Sequence, residues 1–285
     1  MLFSSAGAAE ACKAYMISNT LHGPKAACSD TISLFCIKSG KPNSLDPACK
    51  SPPLFVVVHS ADSSSLAALF WRLTGTGISS RLAEHYLKVL NQIQKVNYIE
   101  MPPSRVFHPV YKTISDRIAN LIERSPVGPP RKLKVLSEDV YLYPSGMSAI
   151  YNTHHLLLHW RGAETIVLGF TYELTLKIME TYGPSHKFYS AGTDKDIDDF
   201  ESYLDGKLHQ GSKIQAVWCE CPSNPLLRTV DLKRVRRLAD KYDFIVVVDD
   251  TIGSFANIDV LGIADIVITS LTKSYNGFAD VLAGR

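Results

Sequence analysis

Phe244-Ile245-Val246-Val247-Val248-Asp249-Asp250 is the stretch that decides the fold. An apolar run this short that lacks polar alternation reads as a strand buried on both faces. Companion runs flank it at Ile166 to Phe170, Ile214 to Cys219 and Ile263 to Thr269, with amphipathic segments between them. Such alternation predicts an α/β fold, a largely parallel sheet covered by helices. The clearest helix runs from Asp231 to Tyr242, where Leu232, Val235, Leu238, Ala239 and Tyr242 share one face and Asp231 is placed to cap. Its basic run, Lys233, Arg234, Arg236 and Arg237, then falls on the solvated face and is not read as a nucleic-acid contact.

Upstream, the first 125 or so residues read as a mixed α/β region. Ile32 to Ile37 and Leu54 to His59 look like strands. Leu66, Leu69, Phe70 and Leu73 form a helical stripe that Asp62 or a following serine can cap and Gly75 ends. A second helix is expected from Ser80 to about Gln94, and a short one from about Thr113 to Glu123. Pro102, Pro103 and Pro109 break regularity between them. The string Pro126, Gly128, Pro129, Pro130 can neither continue a helix nor pair within a sheet, so it marks the expected boundary between regions 1–125 and 131–285.

The 285 residues suffice for one large domain or two smaller ones, and 46% apolar composition can fill a sizeable core. A formal charge of +2 advertises neither a nucleic-acid nor a membrane-surface binder. The longest apolar runs fall far short of the roughly 20 residues that cross a bilayer, and Met1 to Ala9 lacks the basic start of a signal peptide, so a cytoplasmic protein is expected. Cys12, Cys28, Cys36 and Cys49 have no paired spacing, and Cys219 and Cys221 sit in a strand-like run, so buried or idle thiols are favoured over zinc.

In open α/β sheets ligands bind beyond the carboxyl ends of the strands, which directs attention to the residues after each apolar run. Tyr143-Pro144-Ser145-Gly146-Met147-Ser148-Ala149 leads from an expected strand, Val140 to Tyr143, into a helix. Free N–H groups at a helix start, with glycine allowing close approach, suit a phosphate; a simple Ser-Gly helix cap is the alternative. Asp249-Asp250 ends one strand and Ser270-Leu271-Thr272-Lys273 follows the next, which brings acid and amine to one rim. A lysine there can serve as a carbonyl nucleophile, or simply pair with the acid as a salt bridge.

Four ordered segments resemble the motifs of the Cys/Met-metabolism pyridoxal-phosphate (PLP) enzymes: Ser145-Gly146-Met147, Glu220-Cys221-Pro222-Ser223-Asn224-Pro225, Val247-Val248-Asp249-Asp250-Thr251, and Ser270-Leu271-Thr272-Lys273-Ser274-Tyr275-Asn276-Gly277. The resemblance spans roughly 137–284, and Phe70-Trp71-Arg72-Leu73-Thr74-Gly75 with Gly77-Ile78-Ser79-Ser80-Arg81 resembles the N-terminal region of the fungal cystathionine γ-synthase branch. It implies the large domain of the aspartate-aminotransferase type I fold, with pyridoxal 5'-phosphate as cofactor. On that resemblance Lys273 would carry the cofactor and then shuttle protons, and Asp249 would face the ring nitrogen. Gly146 and Met147 N–H groups with the Ser270 and Thr272 hydroxyls would hold the phosphate. Tyr172 would stack on the ring and protonate a leaving group, and Asn224 would bond the ring oxygen. The implied reaction is γ-replacement of an O-acyl homoserine by cysteine to give cystathionine in methionine biosynthesis. A γ-lyase, an O-acetylhomoserine sulfhydrylase and a non-catalytic remnant are the alternatives. Amino-acid substrates and a homo-oligomer are implied as partners.

Other features read plainly. His155 and His159 have a metal-compatible spacing but no accompanying glutamate motif, and Gly75-Thr76-Gly77 follows no strand, so neither a metal nor a dinucleotide site is expected. The family's Tyr-x-Arg pair has no counterpart in Asn97 to Lys112, where Arg105 is a loose substitute. The sequence ends at Arg285, without a residue matching the family's substrate-carboxylate arginine or its C-terminal small domain, so the sheet is expected to leave apolar surface uncovered.

Overall fold

The structure, a computed structural model, describes residues 1–18, 31–39, 42–43, 46–50, 52–96, 109–124, 131, 133–278 and 280–285. The chain divides into two units, Met1–Val106 and Phe107–Arg285. The proline-rich string at 126–130 lies outside the described residues.

The first unit contains β1 (Leu2–Phe3), α1 (Ala6–Ser18), β2 (Ser33–Ser39), β3 (Pro42–Asn43), β4 (Asp46–Lys50), β5 (Leu54–Val58), α2 (Ser64–Thr74), α3 (Ser80–Lys88) and β6 (Ile93–Val96). Among the described residues β1, β5, β2 and β6 form an antiparallel sheet in that order, and β3 pairs with β4 separately. The stripe on α2 buries Phe70 and Leu73, with the Phe70 ring 6.0 Å from Phe3 and 5.5 Å from Tyr15. Gly75 ends α2 at φ 57°, a left-handed conformation that glycine adopts without steric penalty, and its N–H donates to Trp71 O at 2.9 Å.

Two expectations fail in this unit. Neither Asp62 nor a serine caps α2 through its side chain, because the chain enters through a 3₁₀ turn at Ala61–Ser63 and the Ser60 and Ser63 hydroxyls bond each other at 3.1 Å. The helix expected to reach Gln94 stops at Lys88; a 3₁₀ turn at Leu90–Gln92 follows, and Ile93 to Val96 pairs with β2. Ladder hydrogen bonds from β2 outweigh the helical spacing of Leu90 and Ile93 there.

The second unit runs α4 (Pro109–Glu123), α5 (Gly146–Trp160), β7 (Glu164–Leu168), α6 (Glu173–Thr181), β8 (His186–Tyr189), α7 (Asp194–His209), β9 (Ile214–Glu220), α8 (Leu232–Tyr242), β10 (Ile245–Asp249), α9 (Ser254–Asn257) and β11 (Ile266–Ile268). The sheet is parallel among the described residues, ordered β11-β10-β9-β7-β8, and every residue of β9 is buried. These are the strands the apolar runs predict, though the last shortens to Ile266–Ile268. The chain moves to opposite sides of β7 to place β8 and then β9, so the crevice between the ends of β7 and β9 is the topological switch point.

Asp231 Oδ1 accepts the Arg234 N–H at 2.9 Å and caps α8 as expected, while Arg234 and Arg236 pair with acids including Asp198 and Asp265. Thr193 and Asp196 form a reciprocal capping box on α7. The expected strand from Val140 to Tyr143 is absent. A 3₁₀ turn at Ser137–Asp139 precedes it, and Tyr143 makes only an isolated bridge to Gly284, which leaves no neighbouring strand for the rest to join. Leu133, Tyr141, Leu156 and Phe278 are exposed on this unit.

Phe200 on α7 is fully buried between the Tyr189 ring at 5.7 Å and the Phe244 ring at 5.9 Å. Phe200→Ala is therefore expected to lower the unfolding free energy by about 3–5 kcal/mol in urea titrations, and a loss below about 1 kcal/mol would contradict this packing.

Candidate active site

The carboxyl ends of β7, β9, β10 and β11 open onto one cavity of about 320 Å³. It is lined by Ser145, Gly146, Met147, Tyr172, Glu220, Asn224, Asp249, Thr251, Ser270, Thr272 and Lys273, with Ile150, Pro222, Ile252 and Leu282 as apolar wall. Every residue singled out for the site from sequence borders this space.

One wall is the start of α5. Ser145 caps it, its hydroxyl accepting the Ser148 N–H at 3.0 Å. The Gly146 and Met147 N–H groups precede any intrahelical acceptor and add to the positive end of the helix dipole. Gly146 is required by packing, since a Cβ there would stand 2.7 Å from Ser270 Cβ. Gly284 closes the other side, where a Cβ would lie 2.3 Å from Ser145 O, and it is pinned by reciprocal bonds with Tyr143 at 2.8 and 2.9 Å. The helix start, the Ser270 loop and the Gly284 segment thus meet with backbone nearly touching backbone, a cradle with N–H groups at its lip. The Thr272 hydroxyl accepts the Ala283 N–H at 3.0 Å and donates to Ala283 O at 3.3 Å, so offering its proton to an anion would require turning it from that carbonyl.

The opposite feature is acidic. Asp249 and Glu220 are partners in register at the ends of β10 and β9. Burial pushes the Asp249 carboxyl up to about 6, with Asp250 adding in the same direction and the Thr251 bonds and the charge of Arg285 opposing. Burial likewise raises Glu220 to about 7, opposed by the N–H groups of Tyr172 and Asn224. Asp249 Oδ1 accepts the Thr251 N–H at 2.9 Å, and Thr251 Oγ1 accepts the Ser270 N–H at 2.8 Å, a chain linking the acid to the anion cradle. The adjacent Asp250 differs: it accepts from Thr269 and pairs with buried Arg285 at 3.3 Å.

Among the described residues no ion pair joins Lys273 to Asp249, so the rim salt bridge is not formed, and the lysine side chain is exposed toward the cavity. Tyr172, 41% exposed, precedes α6, and Asn224 is exposed on the loop after β9. Glu220 spans them, accepting the Tyr172 N–H at 2.5 Å on one oxygen and the Asn224 N–H at 3.0 Å on the other. Sequence reading assigned no role to Glu220 or Arg285; the signal for the first was an acid at a strand end in register with Asp249. His155 packs on the Tyr151 ring at 4.3 Å and His159 Nδ1 bonds His155 O at 2.7 Å, and no metal-holding cluster of His, Cys, Asp or Glu exists among the described residues. Cys12, Cys36, Cys219 and Cys221 are buried free thiols, whereas Cys28, the Cys49 side chain and Arg105 lie outside the described residues.

The site therefore offers an anion cradle, an acid that makes no ion pair among the described residues, and a primary amine around one cavity. A flat ligand with a phosphate at one end and a protonatable ring nitrogen at the other satisfies all three, since the nitrogen cation would neutralise Asp249 and the phosphate would meet the free N–H groups.

Comparison with known proteins names such a ligand. The family described as Cys/Met metabolism PLP-dependent enzyme matches residues 132–285, and the fungal trans-sulfuration enzyme N-terminal domain matches residues 1–79. The chain is 38% identical to an alanine racemase of Aspergillus violaceofuscus, covering 100% of this chain and 52% of that protein. It is 39% identical to a cystathionine gamma-synthase-like enzyme of Amanita muscaria over 85% of this chain and 46% of the other. It is 47% identical to the cystathionine gamma-synthase of Neurospora crassa over 52% of this chain and 24% of that protein. A methionine gamma lyase of Micromonospora echinospora superposes with TM-score 0.49 at 28% identity, over 64% of this chain and 44% of that one. The chain spans about half the length, or less, of these curated relatives. With a family match over the whole parallel sheet and all four motifs around the cavity, the chain belongs to the Cys/Met metabolism family of PLP-dependent enzymes.

Proposed function

We propose that this chain carries the cofactor centre of a cystathionine γ-synthase-like enzyme, which replaces the activated γ-oxygen of an O-acyl homoserine with the sulfur of cysteine to give cystathionine. The observation that carries the reading is that Lys273 and Asp249 border one cavity without pairing, which leaves both free to act on a ligand between them. Pyridoxal phosphate, when bound, supplies an electron sink for negative charge developing next to an amino group.

The chain's own residues do the rest. Gly146 and Met147 N–H groups and the Ser270 hydroxyl bind the phosphate, with Thr272 joining when its proton leaves Ala283. Asp249 holds a proton on the ring nitrogen. Tyr172 would cover the ring face, and its hydroxyl could hand a proton to a departing acyl oxygen. Asn224 donates to the ring oxygen. Lys273 Nζ, on a flexible stem, would hold the cofactor by its aldehyde and, once a substrate amino group had taken its place there, would move protons at the α- and β-carbons of the amino acid. The apolar wall of Ile150, Pro222, Ile252 and Leu282 limits water at the reacting carbons.

A second reading is α-proton exchange on alanine. It is favoured by the racemase relative, which aligns over the full chain, and it needs only Lys273 and a second acid or base. We further infer that the protein acts in the cytoplasm as a homo-oligomer, a reading that rests on its membership of the Cys/Met metabolism family.

Purified chain mixed with pyridoxal phosphate is expected to develop a visible absorption band that Lys273→Ala lacks; identical spectra would remove the basis of the assignment. Turnover of an O-acyl homoserine with cysteine supports the first reading, racemisation of alanine the second, and a cofactor band with neither supports a non-catalytic remnant.

The proton on Asp249 supplies an independent check. Its folded pKa of about 6 lies above the unfolded carboxylate value, so between these values the folded chain holds a proton that the unfolded chain has released. Raising the pH from about 4 to 7 therefore destabilises cofactor-free wild type relative to Asp249→Asn, by about 3 kcal/mol at roughly 1.4 kcal/mol per pH unit. Urea titrations of both at several pH values read the difference, and parallel curves would show that Asp249 ionises normally.

A further inference from the structure

We propose that Glu220 is a positioning residue for the cofactor: its carboxylate ties together the two loops that present Tyr172 and Asn224, and so sets where those side chains meet the ring. This rests on the reading of the cavity as a pyridoxal-phosphate site.

Tyr172 follows β7 and Asn224 follows β9, on the two sides of the switch-point crevice. Their side chains are exposed and make no hydrogen bonds of their own among the described residues, so their backbone anchors determine their placement. Both anchors end on Glu220, which is buried, 8% exposed, and has no cationic partner among the described residues. Two N–H groups converge from different loops on the two oxygens of one carboxylate. An amide cannot replace it, because glutamine offers one acceptor oxygen and would turn an NH2 toward the other N–H. Aspartate would fall short by one methylene. The carboxylate is thus chosen for its two equivalent acceptors, and burial makes each bond to it matter more than at the surface.

The test uses the full chain and equilibrium binding of pyridoxal phosphate, followed by the visible band and by tryptophan fluorescence. Measured at about pH 8.5, where the carboxyl is ionised, Glu220→Gln is expected to weaken binding about tenfold, the equivalent of one lost charge-assisted hydrogen bond. The same replacement in a Tyr172→Ala/Asn224→Ala background is expected to change affinity less than threefold, because the side chains it positions are gone. Equal weakening in both backgrounds, or none in wild type, overturns the proposal, since a merely structural acid would act alike in each. Wild type that binds no pyridoxal phosphate at all would instead overturn the reading of the cavity. Should Glu220→Gln fail to fold, amide exchange on wild type decides: strong protection of both the Tyr172 and Asn224 N–H groups supports the anchor, and free exchange at either overturns it.

Discussion

A carboxylate at the end of an apolar strand is costly to ionise, and Asp249 sits there with no ion pair of its own, eased only by the Thr251 bonds and by the charge of Arg285, which is paired to Asp250. Its neighbour Asp250 shows the ordinary solution, a buried pairing with Arg285 plus the Thr269 hydroxyl. Of the two adjacent acids, only Asp250 makes an ion pair among the described residues, while Asp249 borders the cavity. A cation delivered by the ligand would relieve the cost in Asp249, so binding and charge neutralisation would coincide.

The rest of the cavity is organised by backbone. Gly146 and Gly284 let the α5 start, the Ser270 loop and the chain near Ala283 approach more closely than any side chain would permit. Gly146 and Met147, at the helix start, line the cavity, and Thr251 links that cradle to Asp249 through Ser270. Glu220 performs the matching task on the other side of the sheet order, where β7 and β9 diverge. Rigid strand ends thus position loops whose own side chains are loosely held.

Much of this was legible beforehand because parallel strands are buried on both faces and so appear as unbroken apolar runs. Those at 214–219 and 244–249 match β9 and β10 closely, and the amphipathic spacing with Asp231 locates α8. Legibility failed where pairing rather than pattern decides. Val140 to Tyr143 has strand composition but meets only Gly284, and Ile93 to Val96 continues a helical stripe yet finds β2 to pair with. Arg285 gave no signal because its partner, Asp250, is distant in sequence, and neither residue alone indicates a buried ion pair.

The sequence by itself determined the α/β class, the strand-end location of the chemistry and the identity of the residues around it, since periodicity and motif order are local properties. Only the tertiary structure decided that Asp250 and not Asp249 takes the Arg285 ion pair, that Lys273 pairs with no acid among the described residues, and that Glu220 joins two loops. Charge compensation and hydrogen bonding depend on distances between segments far apart in the chain, and those distances exist only once the strands are in register.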